Sequence, residues 1–199
     1  MAITINGNGT ITGINVGGLP DGIVDTDMIA ANAVTSAKSS GLGGLSMHDN
    51  WYISSSLSPG SGTNFITANW TRNTNTEAGS IGSAMTESSG VFTFPSTGVY
   101  KIDFNGGFYV SDNPAVDYVG LNIHTTLDNS NYSKRVESYQ AVPAEYNNYV
   151  MCPIHYVFDV TNTTNCKVKL GTILQSAVAS LQDVGGRYGQ VFFTKLGDT

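Results

Sequence analysis

Gly90-Val91-Phe92-Thr93-Phe94-Pro95-Ser96-Thr97-Gly98-Val99-Tyr100-Lys101-Ile102-Asp103-Phe104 is the stretch on which the fold turns. Apolar residues alternate on both sides of a tight turn, the signature of two strands. Pro95 presets the backbone for turn entry and Gly98 frees it at the exit. Successive strand side chains point to opposite sides, so Tyr100, Ile102 and Phe104 share one face.

The pattern outward from there is all-β. Trp51 to Ile53, Asn64 to Trp70, Val91 to Phe94, Val99 to Val110, Asp117 to Thr126, Ser133 to Val142, Val150 to Val160, Cys166 to Leu174 and Gly189 to Leu196 read as strands at sandwich spacing. Gly79 to Gly90 reads as a loop, and Gln175 to Leu181 as a helical turn or a loop. Met151 to Leu170 reads as a hairpin about Thr161-Asn162-Thr163-Thr164. Such a hairpin sets Cys152 and Cys166 some ~20 Å apart at the strand rise, too far for a disulfide. Both are expected as free, packed thiols.

Residues 1–45 contain no aromatic residue, and so no core of their own is expected. Thr4 to Thr12 reads as two short strands around Asn-Gly turns, Asn15 to Gly22 as an extended link, and Asp25 to Lys38 as a short helix. Asp25 or Thr26 suits its cap and Lys38 its C-terminal end. About three turns of helix is marginal alone in water, so this segment is expected to order against something else.

Only 12% of the 199 residues are charged, about half the usual share. With nine Lys plus Arg, a net charge of −6 and no basic cluster, nucleic-acid binding is not expected. No apolar run reaches the ~20 residues of a membrane helix. Met1-Ala2-Ile3-Thr4-Ile5 lacks the basic start and apolar block of a signal peptide, so synthesis in a cytoplasm is expected.

The opening stretch resembles the Phe-x-x-Pro-x-x-Gly-x-Tyr strand–turn–strand of the tumour necrosis factor and complement-globular-head superfamily. Arg187-Tyr188-Gly189-Gln190-Val191-Phe192-Phe193-Thr194-Lys195-Leu196 resembles its last strand, while Tyr118 to Ile123 and His155 to Val160 fall where middle strands belong. The resemblance covers residues 46–199. It implies a jelly-roll β-sandwich of about ten strands that forms a homotrimer. Trp51, Tyr100, Phe104, Phe108, Tyr156 and Phe192 are the candidates for core or trimer interface, without a division between the two.

Ile3 to Gly13 and Val16 to Ala30 resemble the N-terminal leader of virion structural proteins of tailed phages, notably those of cyanobacteria. There similar leaders precede different C-terminal domains. The resemblance implies that residues 1–45 are a docking arm and 46–199 its trimerising cargo. Ile3, Ile5, Ile11, Ile14, Val16, Leu19, Ile23, Met28, Ile29 and Val34 are the apolar residues available for docking.

No catalytic constellation is legible, and no enzyme activity or cofactor is expected. His48, His124 and His155 are far apart, and no nucleophile elbow, phosphate loop or His-Glu-x-x-His occurs. His124 and His155 lie on strands and read as structural, His155 facing the core or a neighbouring subunit. Asp25 and Asp27 suit helix capping better than calcium. Asp112, Asp117 and Asp128 are loop residues that would make a metal site only by meeting at a rim. Tyr132, Tyr139, Tyr146 and Tyr149 lie in or beside an Asn-rich stretch and form either a ligand rim or ordinary strand and subunit packing.

The expectation is a trimeric capsid decoration or cement protein of a phage particle, bound to the major capsid or other virion proteins by its arms. The alternative is a tail-fibre or head-fibre tip that binds a host surface glycan. A secreted lectin-like module is the weaker third reading.

Overall fold

The computed structural model describes residues 44–111, 116–143, 147–183 and 188–199, with the backbone of two short strands ahead of them. The chain divides into two units, Met1–Gly44 and Leu45–Thr199. In the first, β1 (Thr4–Ile5) and β2 (Ile11–Thr12) pair antiparallel, Ile5 opposite Ile11. The helix read at Asp25 to Lys38 lies outside the described residues, as do Ile3, Ile14, Val16, Leu19, Ile23, Met28, Ile29 and Val34.

The second unit is a jelly-roll sandwich of two six-stranded antiparallel sheets. Its strands are β3 (His48–Ile53), β4 (Gly62–Phe65), β5 (Trp70–Arg72), β6 (Thr86–Ser88), β7 (Val91–Thr93), β8 (Gly98–Val110), β9 (Tyr118–Thr126), β10 (Ser133–Ala141), β11 (Asn148–Val160), β12 (Lys167–Leu174), β13 (Ala179–Leu181) and β14 (Gln190–Gly197). One sheet runs β11-β8-β14-β3-β5, with β13 also on β8; the other runs β10-β9-β12-β7-β6, with β4 beside β12. No helix occurs among the described residues.

Tyr100, Ile102, Phe104, Phe108 and Val110 of β8 point inward and are fully buried, facing a layer that includes Val119, Leu121 and Ile123 of β9 and Leu170 of β12. Phe92 holds the centre, its ring 5.1 Å from Trp70, 5.1 Å from Phe193 and 5.5 Å from Trp51. Burying each such ring is worth about 1.5–3 kcal/mol.

The turn at Pro95 to Gly98 carries the chain from one sheet to the other, since β7 and β8 belong to different layers. Phe94 and Tyr100 close this crossing at 4.7 Å between ring centroids, and the Tyr100 hydroxyl donates to the Ser96 carbonyl at 3.0 Å. Gly98 takes φ 139°, a region closed to most side chains.

The hairpin read over Met151 to Leu170 is not formed. Asn162 does organise a turn there, its side chain accepting from the Thr164 and Asn165 amides at 2.8 and 3.1 Å, but β11 pairs β8 while β12 pairs β9. Turn chemistry is the same whether the chain doubles back within a sheet or crosses to the other. Cys152 and Cys166 are free and buried, one on each sheet's side of that crossing. The single strand read at Asn64 to Trp70 is two, β4 in the β9 sheet and β5 in the β8 sheet, with the chain crossing between layers at residues 66–69. Two further stretches add strands, β6 within the loop read at Gly79 to Gly90 and β13 at the end of Gln175 to Leu181.

Asp49 is a carboxylate inside the sandwich, on the inward side of β3. It accepts from Arg72 Nε at 2.7 Å, Trp51 Nε1 at 2.9 Å, the Met85 amide at 2.9 Å and the Asn50 amide at 3.2 Å. It thereby ties β3, β5 and the approach to β6. Removing one partner of a buried pair strands the others, at about 3–5 kcal/mol. Asp49→Ala is expected to lose stability on that scale in urea unfolding; a loss under about 1 kcal/mol would mean the network is not structural.

Candidate functional site

The sandwich has two outward faces of different chemistry. On the β8 sheet, Tyr149, Met151 and Val157 of β11 point outward and are 63%, 48% and 49% exposed. They pair across the ladder with Tyr109, Gly107 and Lys101 of β8, so the apolar groups run along one edge of this face. Tyr109 and Tyr149 meet at a tilted angle with ring centroids 5.0 Å apart, Tyr188 lies 6.2 Å from Tyr149, and the Tyr109 hydroxyl donates to Asn147 Oδ1 at 2.6 Å. Phe192 lies on the same side, stacked on His48 at 6.1 Å. The polar members are the Lys101–Asp103 ion pair at 2.8 Å and an exposed His155 opposite Asp103.

This geometry divides the six aromatic candidates. Tyr100, Phe104 and Phe108 are core, Trp51 and Tyr156 are partly buried against it, and Phe192 alone faces outward. His155 also points away from the core.

The tyrosines expected at a rim are not brought together. Tyr139 stands on the outward face of β10, edge-on to Tyr118 at 5.2 Å, and Tyr132 lies just before the same strand; Tyr149 belongs to the other sheet. β10 and β11, adjacent in sequence, belong to different layers, which sends their outward side chains to opposite sides of the molecule. Tyr146 lies outside the described residues. Asp117 and Asp128 flank the nine-residue β9 at its two ends, about 30 Å apart by strand rise, and Asp112 is outside the described residues. The Asp128 carboxylate is instead saturated by its own turn. It accepts from the Asn131 side chain and amide at 2.7 Å each, Thr126 Oγ1 at 2.7 Å and the Ser130 amide at 2.9 Å, which hold its pKa far below the usual carboxylate range. Among the described residues no group of three His, Cys, Asp or Glu stands close enough to hold a metal ion.

The outward face of the β9 sheet has a constellation that sequence reading missed. Lys134, His124 and Lys169 form one row across β10, β9 and β12; Glu137, Asn122, Gly171 and Phe65 form the next, ending on β4. His124 is 9% exposed and Asn122 is fully buried. Both ring nitrogens of His124 and the Oδ1 of Asn122 have no hydrogen-bond partner among the described residues. Asn122 Nδ2 donates to the Thr172 carbonyl at 3.3 Å. Phe65, 39% exposed, sets its ring edge-on to His124 at 4.9 Å. Glycine at 171 is required here, since a Cβ would meet Asn122 Oδ1 at 2.5 Å and the Asn64 carbonyl at 2.7 Å. The Lys169 ammonium sits 4.2 Å from the Tyr132 ring centre and 5.2 Å from that of Phe65. Lys134 pairs with Glu137. Burial, then Lys134, lowers the His124 pKa below 6.5; Lys169 adds to this and Glu137 opposes it.

No family model matches the chain, and no curated protein is similar to it. Solved structures are. Eiger TNF from S. frugiperda superposes with a TM-score of 0.58 at 14% identity, covering 78% of this chain and 96% of that one. Murine APRIL at pH 8.0 gives 0.54 at 12%, covering 75% and 98%. At these identities the likeness concerns fold: the body is an all-β jelly roll of the tumour-necrosis-factor type.

The lowered His124 pKa makes a thermodynamic prediction. In the unfolded chain the imidazole takes up its proton near pH 6.5, before the folded one does. Acidification through that value therefore favours unfolding, until the folded pKa is passed. His124→Leu is expected to flatten the fall of Tm between pH 7.5 and 5.5; an unchanged slope in calorimetry would place the effect elsewhere.

Proposed function

We propose that this chain is a structural protein of a phage virion, in which three jelly rolls associate through the outward face of the β8 sheet and the N-terminal segments dock the trimer on the particle. The observation that carries the reading is the row Tyr149, Met151 and Val157, with Tyr109 and Phe192 on the same face. Large apolar groups left on a sheet face mark association surfaces, and a second copy covers them with the same chemistry. Burial of ~800 Å² per partner is the usual scale of a stable interface. The docking half of the proposal rests on the leader-like sequence of residues 3–30. Three joined arms bind far more tightly than one, because the second and third contacts are intramolecular. A trimer set where shell subunits meet would bridge them, which is decoration or cement.

A recognition tip on a tail or head fibre is the second reading, favoured by the aromatic and polar groups gathered around His124.

Met151→Lys with Val157→Lys is expected to convert the trimer to monomers in sedimentation equilibrium while the far-ultraviolet spectrum keeps its β character. A wild-type monomer at tens of micromolar would overturn the trimer. Deleting residues 1–38 is expected to leave a soluble trimer that no longer binds purified capsids; retained binding would overturn the docking role. Quantifying copies per particle separates hundreds, for decoration, from tens or fewer, for a fibre.

A further inference from the structure

We propose that the outward face of the β9 sheet around His124 binds a carboxylated saccharide, with Lys169 meeting the carboxylate and Phe65 the sugar ring. This deepens the recognition-tip reading by naming its ligand, and it is independent of the trimer, whose face is on the other sheet.

Three features converge on that chemistry. The first is unspent hydrogen-bonding capacity. Buried polar atoms are nearly always paired, yet Asn122 offers a free acceptor and His124 two ring nitrogens, one donor and one acceptor in the neutral ring. A sugar hydroxyl both donates and accepts, and so matches either kind of group. The second is the ring. Phe65 is held by a four-residue strand that pairs with β12, and it reaches over the side-chain-free Gly171 to His124. Phe65 is 39% exposed and offers part of its ring, beside His124, to the C–H face of a pyranose. Tyr139, 48% exposed one row further along β10, extends the platform. The third is charge. In a chain of net charge −6, Lys134, Lys167 and Lys169 stand on this sheet's outward face. Lys134 is paired with Glu137, and Lys167 donates to the Thr163 carbonyl at 2.6 Å. Lys169 has two aromatic rings about it and no carboxylate partner among the described residues. Tyr132 directly follows the Asp128 turn, and its ring and that of Phe65 flank the Lys169 ammonium. A neutral sugar would leave that cation unmatched, whereas a carboxylate on the ring carbon matches it.

The test is a titration of the full chain with sodium D-glucuronate and, separately, D-glucose, followed by the His124 ring resonances in NMR. Glucuronate is expected to shift them saturably and to bind at least tenfold more tightly than glucose. Lys169→Gln is expected to abolish that preference, Lys169→Arg to keep it, and Phe65→Ala to weaken both sugars. His124 resonances unmoved by glucuronate, equal affinity for the two sugars, or unchanged preference in Lys169→Gln would each overturn the site. Sedimentation of the same samples reports association separately, so loss of the trimer with binding retained counts against the association proposal alone.

Discussion

The contact of Phe94 with Tyr100 fixes where the chain leaves one sheet and enters the other. Everything outward of the core follows from that crossing. With β7 in one layer and β8 in the next, the alternation along β8 delivers Tyr100, Ile102 and Phe104 to the interior and Val99, Lys101 and Asp103 to the surface. The inward set meets Phe92, Phe94 and Phe193, whose rings interlock at tilted and edge-on angles. Asp49 performs the matching task at the other side of the sheet, where a carboxylate with four donors ties three segments that apolar packing alone would leave free to slide.

The two surfaces that result are unlike because different residues occupy the outward register. β11 places Tyr149, Met151, Pro153 and Val157 in its outward register, with His155 and Asp159 as the polar members. β9 and β12 place amide, imidazole and ammonium groups around glycines. A sheet face of the first kind is completed by more protein; one of the second kind is completed by a ligand rich in hydroxyl and anionic groups. The functional proposals are the two halves of that contrast.

Much of the fold was legible in the sequence, because alternation and turn residues are local signals. Most strands, the Pro95 to Gly98 turn and the shared face of Tyr100, Ile102 and Phe104 could be read from spacing alone, whereas Asn64 to Trp70 read as one strand and is two. Sheet membership could not. Asn162 makes the same turn in a hairpin and in a crossing between layers, so β11 and β12 looked like partners. The same blindness left a shared rim open for Tyr132, Tyr139 and Tyr149 beside ordinary packing, when the described structure puts the last on the far side. The His124 constellation was invisible for a related reason. Phe65, Asn122, Lys134 and Lys169 come from four strands, and only lateral register makes them neighbours. One clue did exist: beyond Tyr118, the alternate positions Gly120, Asn122, His124 and Thr126 of the strand carry no large apolar group.

The place of β14 has a consequence for how the molecule is made. This strand follows all the other described strands in sequence, yet it lies between β8 and β3, in the middle of its sheet. Until residues 190–197 have left the ribosome, β3 and the β11-β8 ribbon have unsatisfied edges toward each other, and half the sandwich has a slot through it. Closure of that sheet therefore waits for β14, and until then the chain displays two open backbone edges of the kind that invite aggregation.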